Sequence, residues 1–230
     1  MFYFDLLYIL PALILTTWAS IRVKTTYAKY AKVNAHTGVT ATAVARRILD
    51  GAGLTNVSIE RIAGDLTDHY DPRTNVIRLS DSVANSTSIA AIGVAAHECG
   101  HAIQHARAYA PIRIRQAIIP ITNISSRLAV PLVLFGLLLT AYAENFISVA
   151  YAGVILFGVA VLFQLVTLPV EFNASSRALS ILSESGTLDS TEIKGARRVL
   201  SAAAMTYVAA LAASLLQMLR LLSIVNNRRR

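Results

Sequence analysis

Ala95-Ala96-His97-Glu98-Cys99-Gly100-His101-Ala102-Ile103-Gln104-His105 holds three of the chain's five histidines and its single cysteine. The stretch reads as part of a domain helix running from Ser88 to Ala110. On a helix His97 and His101 share one face about 6 Å apart in rise, close enough to chelate one ion. Glu98 follows the first histidine and can point at a water on that ion. His105 stands about 12 Å in rise from His97, too far to share an ion at about 2.1 Å per bond, so it reads as an interfacial residue or a support for a ligand. Cys99 lies off the midline of the two histidines and reads as a small packing residue. Gly100 reads as a point of close approach for a strand, a substrate or a second helix.

The chain around this helix is too apolar for an ordinary soluble domain. Of 230 residues, 55% are hydrophobic and 15% charged, where soluble domains carry about a quarter charged. Four runs lack any charge: Leu6 to Ile21, Leu128 to Ala143, Asn145 to Val170 and Val199 to Leu219. Each comes close to the roughly 20 residues that a spanning helix needs. The first reads as a retained anchor, because Met1 to Asp5 carries an acid and no basic residue. The second, 16 residues long, spans if Arg127 snorkels or Ile118 to Ser126 contributes. Ser82 to Ala96 is uncharged but polar, and reads as a domain helix rather than a fifth span.

The expected fold is a mainly α membrane protein with about four transmembrane helices and a small α+β region that bears the His-Glu-x-x-His helix. Its segments are a first span over 1–21, the α+β region over 22–115, spans over 116–143 and 145–168, a helix and loop over 169–198, and a last span over 199–225. Within the region, Thr40 to Gly53 reads as an amphipathic helix, and Asn56 to Glu60 and Val76 to Ser80 as strands. The segment Gly64 to Asn75 is rich in turn formers. The second strand could accept an extended peptide by β-addition or serve as an ordinary sheet strand. Glu144 and Asn145 form a tight turn, Pro169 opens a helix that stops at Gly186, and Asp189 with Glu192 makes a capping box.

The net charge of +8 comes from 21 bases against 13 acids, and the bases flank the apolar runs. That pattern favours anionic lipid, and no basic run interleaved with aromatics argues for nucleic acid. Arg22, Lys24, Lys29 and Lys32 place the catalytic face in the cytoplasm by the positive-inside rule, outweighing the opposing tail Arg228 to Arg230. A single cysteine forms no internal disulfide.

A catalytic zinc takes three protein ligands and keeps one position for water. The third ligand is expected at Glu171, in Leu168-Pro169-Val170-Glu171-Phe172-Asn173-Ala174-Ser175-Ser176-Arg177. Two spans separate it from His101, so the chain returns to the same membrane face. An acid ending a 26-residue charge-free run is costly unless paired or metal-bound. Glu184 is a weaker rival, and a snorkelling interfacial acid is the bland alternative. Glu98 is the expected general base. His69, in the polar cluster Asp68-His69-Tyr70-Asp71, and Arg177 are candidate catalytic donors to an oxyanion, although a plain turn also accounts for the first cluster. Leu49-Asp50-Gly51 precedes the histidines and reads as a helix C-cap.

At these residues the chain resembles the YugP-like membrane-bound neutral zinc metallopeptidases, distant relatives of the HtpX and CAAX prenyl protease group. The resemblance covers nearly the whole chain and rests on Asp68-His69-Tyr70-Asp71-Pro72, on Ser88 through His105, on Leu168-Pro169-Val170-Glu171-Phe172 and on Ala196-Arg197-Arg198-Val199-Leu200. It implies a zincin-like, gluzincin-type multi-pass protein of a prokaryotic plasma membrane. It further implies Zn2+ on His97, His101 and Glu171, with Glu98 as base toward a peptide or membrane-protein substrate. In the wider HtpX-like pattern an aspartate follows the glutamate ligand by four residues and orients a ligand histidine. Here that position is Ser175, so the supporting role passes to Asn173 or Asp71.

The competing class is a catalytically silent scaffold or adaptor with a retained metal. A structural zinc fills four positions with protein ligands, usually including cysteines, and this chain has one. A metal transporter would leave Glu98 without a role. A homo-oligomer or a partner membrane protein is compatible with all of these features.

Overall fold

The structure is a computed structural model, and it describes residues 2–228; Met1 and the tail arginines Arg229 and Arg230 lie outside the described residues. In chain order the elements are α1 (Phe2–Tyr30), α2 (Ala41–Gly51), β1 (Ser58–Ile62), β2 (His69–Asp71), β3 (Val76–Ser80), α3 (Asp81–Ala84), α4 (Ile89–Ala106), α5 (Ala110–Leu139), a 3-10 turn (Glu144–Phe146), α6 (Ile147–Glu184) and α7 (Ser190–Arg228). Among the described residues four helices are long and apolar enough to cross a membrane: Asp5–Tyr30, Ala110–Leu139, Glu144–Glu184 and Ser190–Arg228. The segment Ser82 to Ala96 is not one of them.

The helices run past the charge-free limits. Helix α1 continues to Tyr30, and α5 begins at Ala110, so Ile118 to Ser126 lies in the same helix as the second apolar run. Pro169 does not open a helix: it lies inside α6, which runs unbroken from the apolar third span into the segment bearing Glu171. Proline within a spanning helix is tolerated where neighbouring groups satisfy the freed carbonyl.

The chain divides into two units. The first, residues 1–19, 114–168 and 206–230, is built from the apolar helices. Gly136 lies against the backbone of Ala150, and a Cβ on Gly153 would lie 2.7 Å from the Ala129 carbonyl oxygen. Small residues thus let α5 and α6 touch backbone to backbone, the usual solution where lipid offers no hydrophobic drive between helices. Leu7, Ile14, Leu138 and Ile155 point outward, each about two-thirds or more exposed, as a lipid-facing surface requires. Within this unit Asp5 accepts a charge-assisted hydrogen bond from Arg220 Nε at 2.7 Å.

The second unit comprises residues 20–113 and 169–205. Its sheet has the order β1-β3-β2, with β3 parallel to β1 and antiparallel to β2. Strand β3 is central and almost wholly buried, so both of its edges are paired and it cannot accept a peptide by β-addition. Strand β2 was hidden in the turn-rich segment, since His69-Tyr70-Asp71 is neither apolar nor alternating. Its pairing with β3 and the packing of Tyr70 on His105, ring centroids 5.5 Å apart, make it a strand.

Caps fix the helix starts: Thr40 accepts from Ala43 N at 3.3 Å and Ser88 from Ala91 N at 3.2 Å, each contributing about 1 kcal/mol. The Asp189–Glu192 capping box forms as expected, Asp189 Oδ1 accepting from Glu192 N at 2.8 Å while Glu192 Oε2 accepts from Asp189 N at 2.8 Å. The core gathers Leu49, Ile77, Leu79, Ile92 and Leu182 around α4.

Candidate metal centre

Helix α4 presents His97 and His101 on one face, and Glu171 of α6 meets them. The His97 and His101 Nε2 atoms lie 3.3 and 3.6 Å from Glu171 Oε2, and all three ligand atoms lie within 4.8 Å of one another. A direct charge-assisted hydrogen bond would be about 2.7–2.9 Å. Ligands placed about 2.0–2.2 Å from a tetrahedral zinc are instead separated by roughly 3.3–3.6 Å. Two imidazole nitrogens and a carboxylate oxygen at this spacing fit a zinc ion.

The remaining nitrogens of both rings are held. Gln104, fully buried, donates from Nε2 to Val170 O at 2.8 Å and to Asn173 Oδ1 at 3.0 Å. Those bonds turn its Oε1 toward His101 Nδ1, 3.0 Å away. A carbonyl oxygen only accepts, so the proton sits on Nδ1 and the lone pair of Nε2 faces Glu171. His97 Nδ1 lies 3.1 Å from Ser175 Oγ. The position that lacks the aspartate of the wider pattern therefore still holds the His97 ring, through a hydroxyl. The expected substitutes act elsewhere: Asn173 bridges Gln104 and Arg177, and Asp71 binds Arg73 N, Thr74 and Arg78.

Gly100 explains how α6 comes this close. A Cβ there would lie 2.7 Å from Ala174 O and 3.1 Å from Ala174 Cα, so the close approach is made by the helix that carries Glu171. Cys99 is fully buried with Sγ 3.6 Å from Ala45 O; burial pushes its thiol well above the usual range, which suits packing and not metal binding. Glu98 is 8% exposed and, among the described residues, makes no hydrogen bond that would tie up its carboxylate.

Other candidates sit apart from this group. His105 packs on Tyr70, and Glu184 accepts from Ser180 Oγ at 2.6 Å. His69 lies on the edge strand β2 with Nδ1 2.9 Å from Thr67 O, so its proton is on Nδ1. Arg177 donates from Nε to Asn173 Oδ1 at 2.7 Å. A second cluster of ligand atoms, His36, Asp189 and Glu192, is taken up by the capping box and by the His36 Nδ1–Glu192 bond of 2.7 Å. Gln104 was not singled out from sequence, although a polar residue three beyond His101 on a buried face was its signal.

A family model described as "Putative neutral zinc metallopeptidase" matches residues 5–226. The chain belongs to that family. A relative from Bacillus subtilis (strain 168), described as "Putative membrane protease YugP", is 49% identical over 220 residues, 96% of this chain and 96% of that protein. No solved structure matches the chain. The family's name carries zinc, and the fold carries helices apolar enough for a bilayer.

Proposed function

We propose that the protein is a membrane-embedded zinc metalloendopeptidase with His97, His101 and Glu171 as metal ligands and Glu98 as general base. The observation that carries this reading is the convergence of two Nε2 atoms on one Glu171 oxygen while their Nδ1 atoms are tied to Gln104 and Ser175. A zinc ion held there supplies Lewis-acid polarisation of a peptide carbonyl and lowers the pKa of a water. Glu98 takes the proton of the attacking water and passes it to the leaving amine. It is buried and, among the described residues, has no hydrogen-bond partner, which keeps the carboxylate available for that transfer.

His69 is the oxyanion donor in this reading. With Nδ1–H directed at Thr67 O, it donates from Nε2 only when protonated. Strand β2, at the sheet edge beside the last turn of α4, takes the peptide-pairing role that β3 cannot fill. The basic residues after the first span put this side in the cytoplasm of a prokaryotic cell. A buried, unpaired acid beside the ligand pair has no use in a silent scaffold, which favours the enzyme.

The test is cleavage of a quenched membrane-protein substrate by wild type and Glu98→Gln, with zinc content measured on both. The expected result is retained zinc and a rate lower by about 10²–10⁴-fold. Equal cleavage by the two forms would sink the peptidase reading.

A further inference from the structure

Beside the His–Glu group, the second unit contains a cleft of about 630 Å³ whose polar lining includes Arg47, Arg107, Arg177, Ser180, Glu184 and Thr187. Val44, Ile48 and Ile103 supply its apolar wall. The volume is that of a ligand pocket. His97, His101 and Glu171 do not line it, so it is a distinct feature of the same unit.

Three arginines and one glutamate line this cleft. Among the described residues none of the three arginines is ion-paired, and Glu184 is engaged by Ser180 at 2.6 Å. Arg177 has its Nε committed to Asn173, which leaves its two terminal nitrogens for a bidentate acceptor. Three arginines less Glu184 leave an excess of about two positive charges in the lining, which suits an anion, and the anion a peptide can bring is a carboxylate.

The cleft is tied to the metal centre. Arg177 binds Asn173 Oδ1 at 2.7 Å, Gln104 binds the same oxygen at 3.0 Å, and Gln104 Oε1 accepts from His101 at 3.0 Å. Arg177 is six residues beyond Glu171 on α6, about 9 Å in rise. An extended peptide covers that distance in about three residues.

We propose that the arginine cleft is a carboxylate subsite of the substrate, receiving an acidic side chain or a C-terminal carboxylate about three residues from the bond to be cut. This rests on the peptidase reading and adds the class of substrate.

The test is equilibrium binding to the zinc-loaded full chain in detergent, carrying Glu98→Gln so that peptide is not consumed. The probes are three fluorescein-labelled pools of randomised octapeptides lacking Asp and Glu elsewhere: one with glutamine fixed at an inner position and an amidated end, one with glutamate at that position, and one with a free C-terminal carboxylate. One or both carboxylate pools are expected to bind at least about tenfold tighter than the amide pool, and which pool does so names the source of the carboxylate. The advantage should fall below about twofold in Arg107→Gln with Arg177→Gln. Arg47→Gln, on the exposed side of α2, gives a smaller loss and guards against a folding defect in the double variant. Equal binding of all pools, or an advantage that survives the arginine changes, overturns the proposal. Loss of the advantage in phosphatidylglycerol nanodiscs assigns the cleft to lipid headgroups and overturns it too. A carboxylate preference in a protein whose wild type cleaves nothing leaves the binding site standing and removes the peptidase reading instead.

Discussion

Gly100 of α4 and Ala174 of α6 meet backbone to backbone: the Cβ that Gly100 lacks would lie 2.7 Å from the Ala174 carbonyl oxygen. Glu171 is three residues before Ala174 and Ser175 one after it, so this contact sets how far the glutamate and the serine stand from the two histidines. Gly100→Ala should push the helices apart, costing about 1–3 kcal/mol and weakening zinc binding. Thermal unfolding with and without added zinc checks this: the zinc-dependent rise in Tm should shrink more than the Tm of the zinc-free protein falls.

Glu171→Ala is expected to lose zinc stoichiometry, while Glu184→Ala and His105→Ala keep it. Glu171 stands 3.3 and 3.6 Å from the His97 and His101 Nε2 atoms, whereas Glu184 binds Ser180 and His105 packs on Tyr70. Metal analysis of the purified variants decides the matter, and full zinc in Glu171→Ala would move the third ligand elsewhere.

Gln104→Leu should cost about 10–100-fold in zinc affinity, because the amide holds the His101 ring with its lone pair toward Glu171. It also removes the hydrogen bond to Val170 O, a further stability loss of about 0.5–1.5 kcal/mol. Ser175→Ala, which removes one hydroxyl from His97, should weaken zinc without that stability loss. Competition against a chromogenic zinc chelator measures both.

Acid should loosen the β2–β3 turn through Asp71. The Arg73 backbone N–H, then the Thr74 hydroxyl and Arg78, hold its carboxyl down to about 2. With an unfolded value of about 3.9, the folded pKa is depressed, so this stabilisation is present above about pH 4 and is lost as pH falls toward 2. Hydrogen exchange across Asp71 to Asn75 should accelerate over that window in wild type, and Asp71→Asn should flatten the change.

Much of the site was legible because its signals are local. His97 and His101 stand four apart on a helix, Glu98 follows the first, and these spacings imply one helix face whatever surrounds them. The apolar runs declared the membrane for a similar reason, since composition over about 20 residues is all that spanning requires. Strand β2 escaped because His69-Tyr70-Asp71 has no strand pattern of its own and is held by β3 and His105. Pro169 misled because proline marks a helix start in water and is tolerated inside a helix that neighbours support.

Sequence alone determined the helix that bears His97 and His101, the four apolar spans and the acid at the end of the third. It also nominated Glu171, through the cost of ending a charge-free run in a charge. Only the tertiary structure decided which groups orient the two histidine rings. Gln104 and Ser175 act across two helices far apart in the chain, and their roles depend on how closely those helices approach. That approach turns on the missing side chain of Gly100, whose steric consequence appears only once Ala174 lies against it.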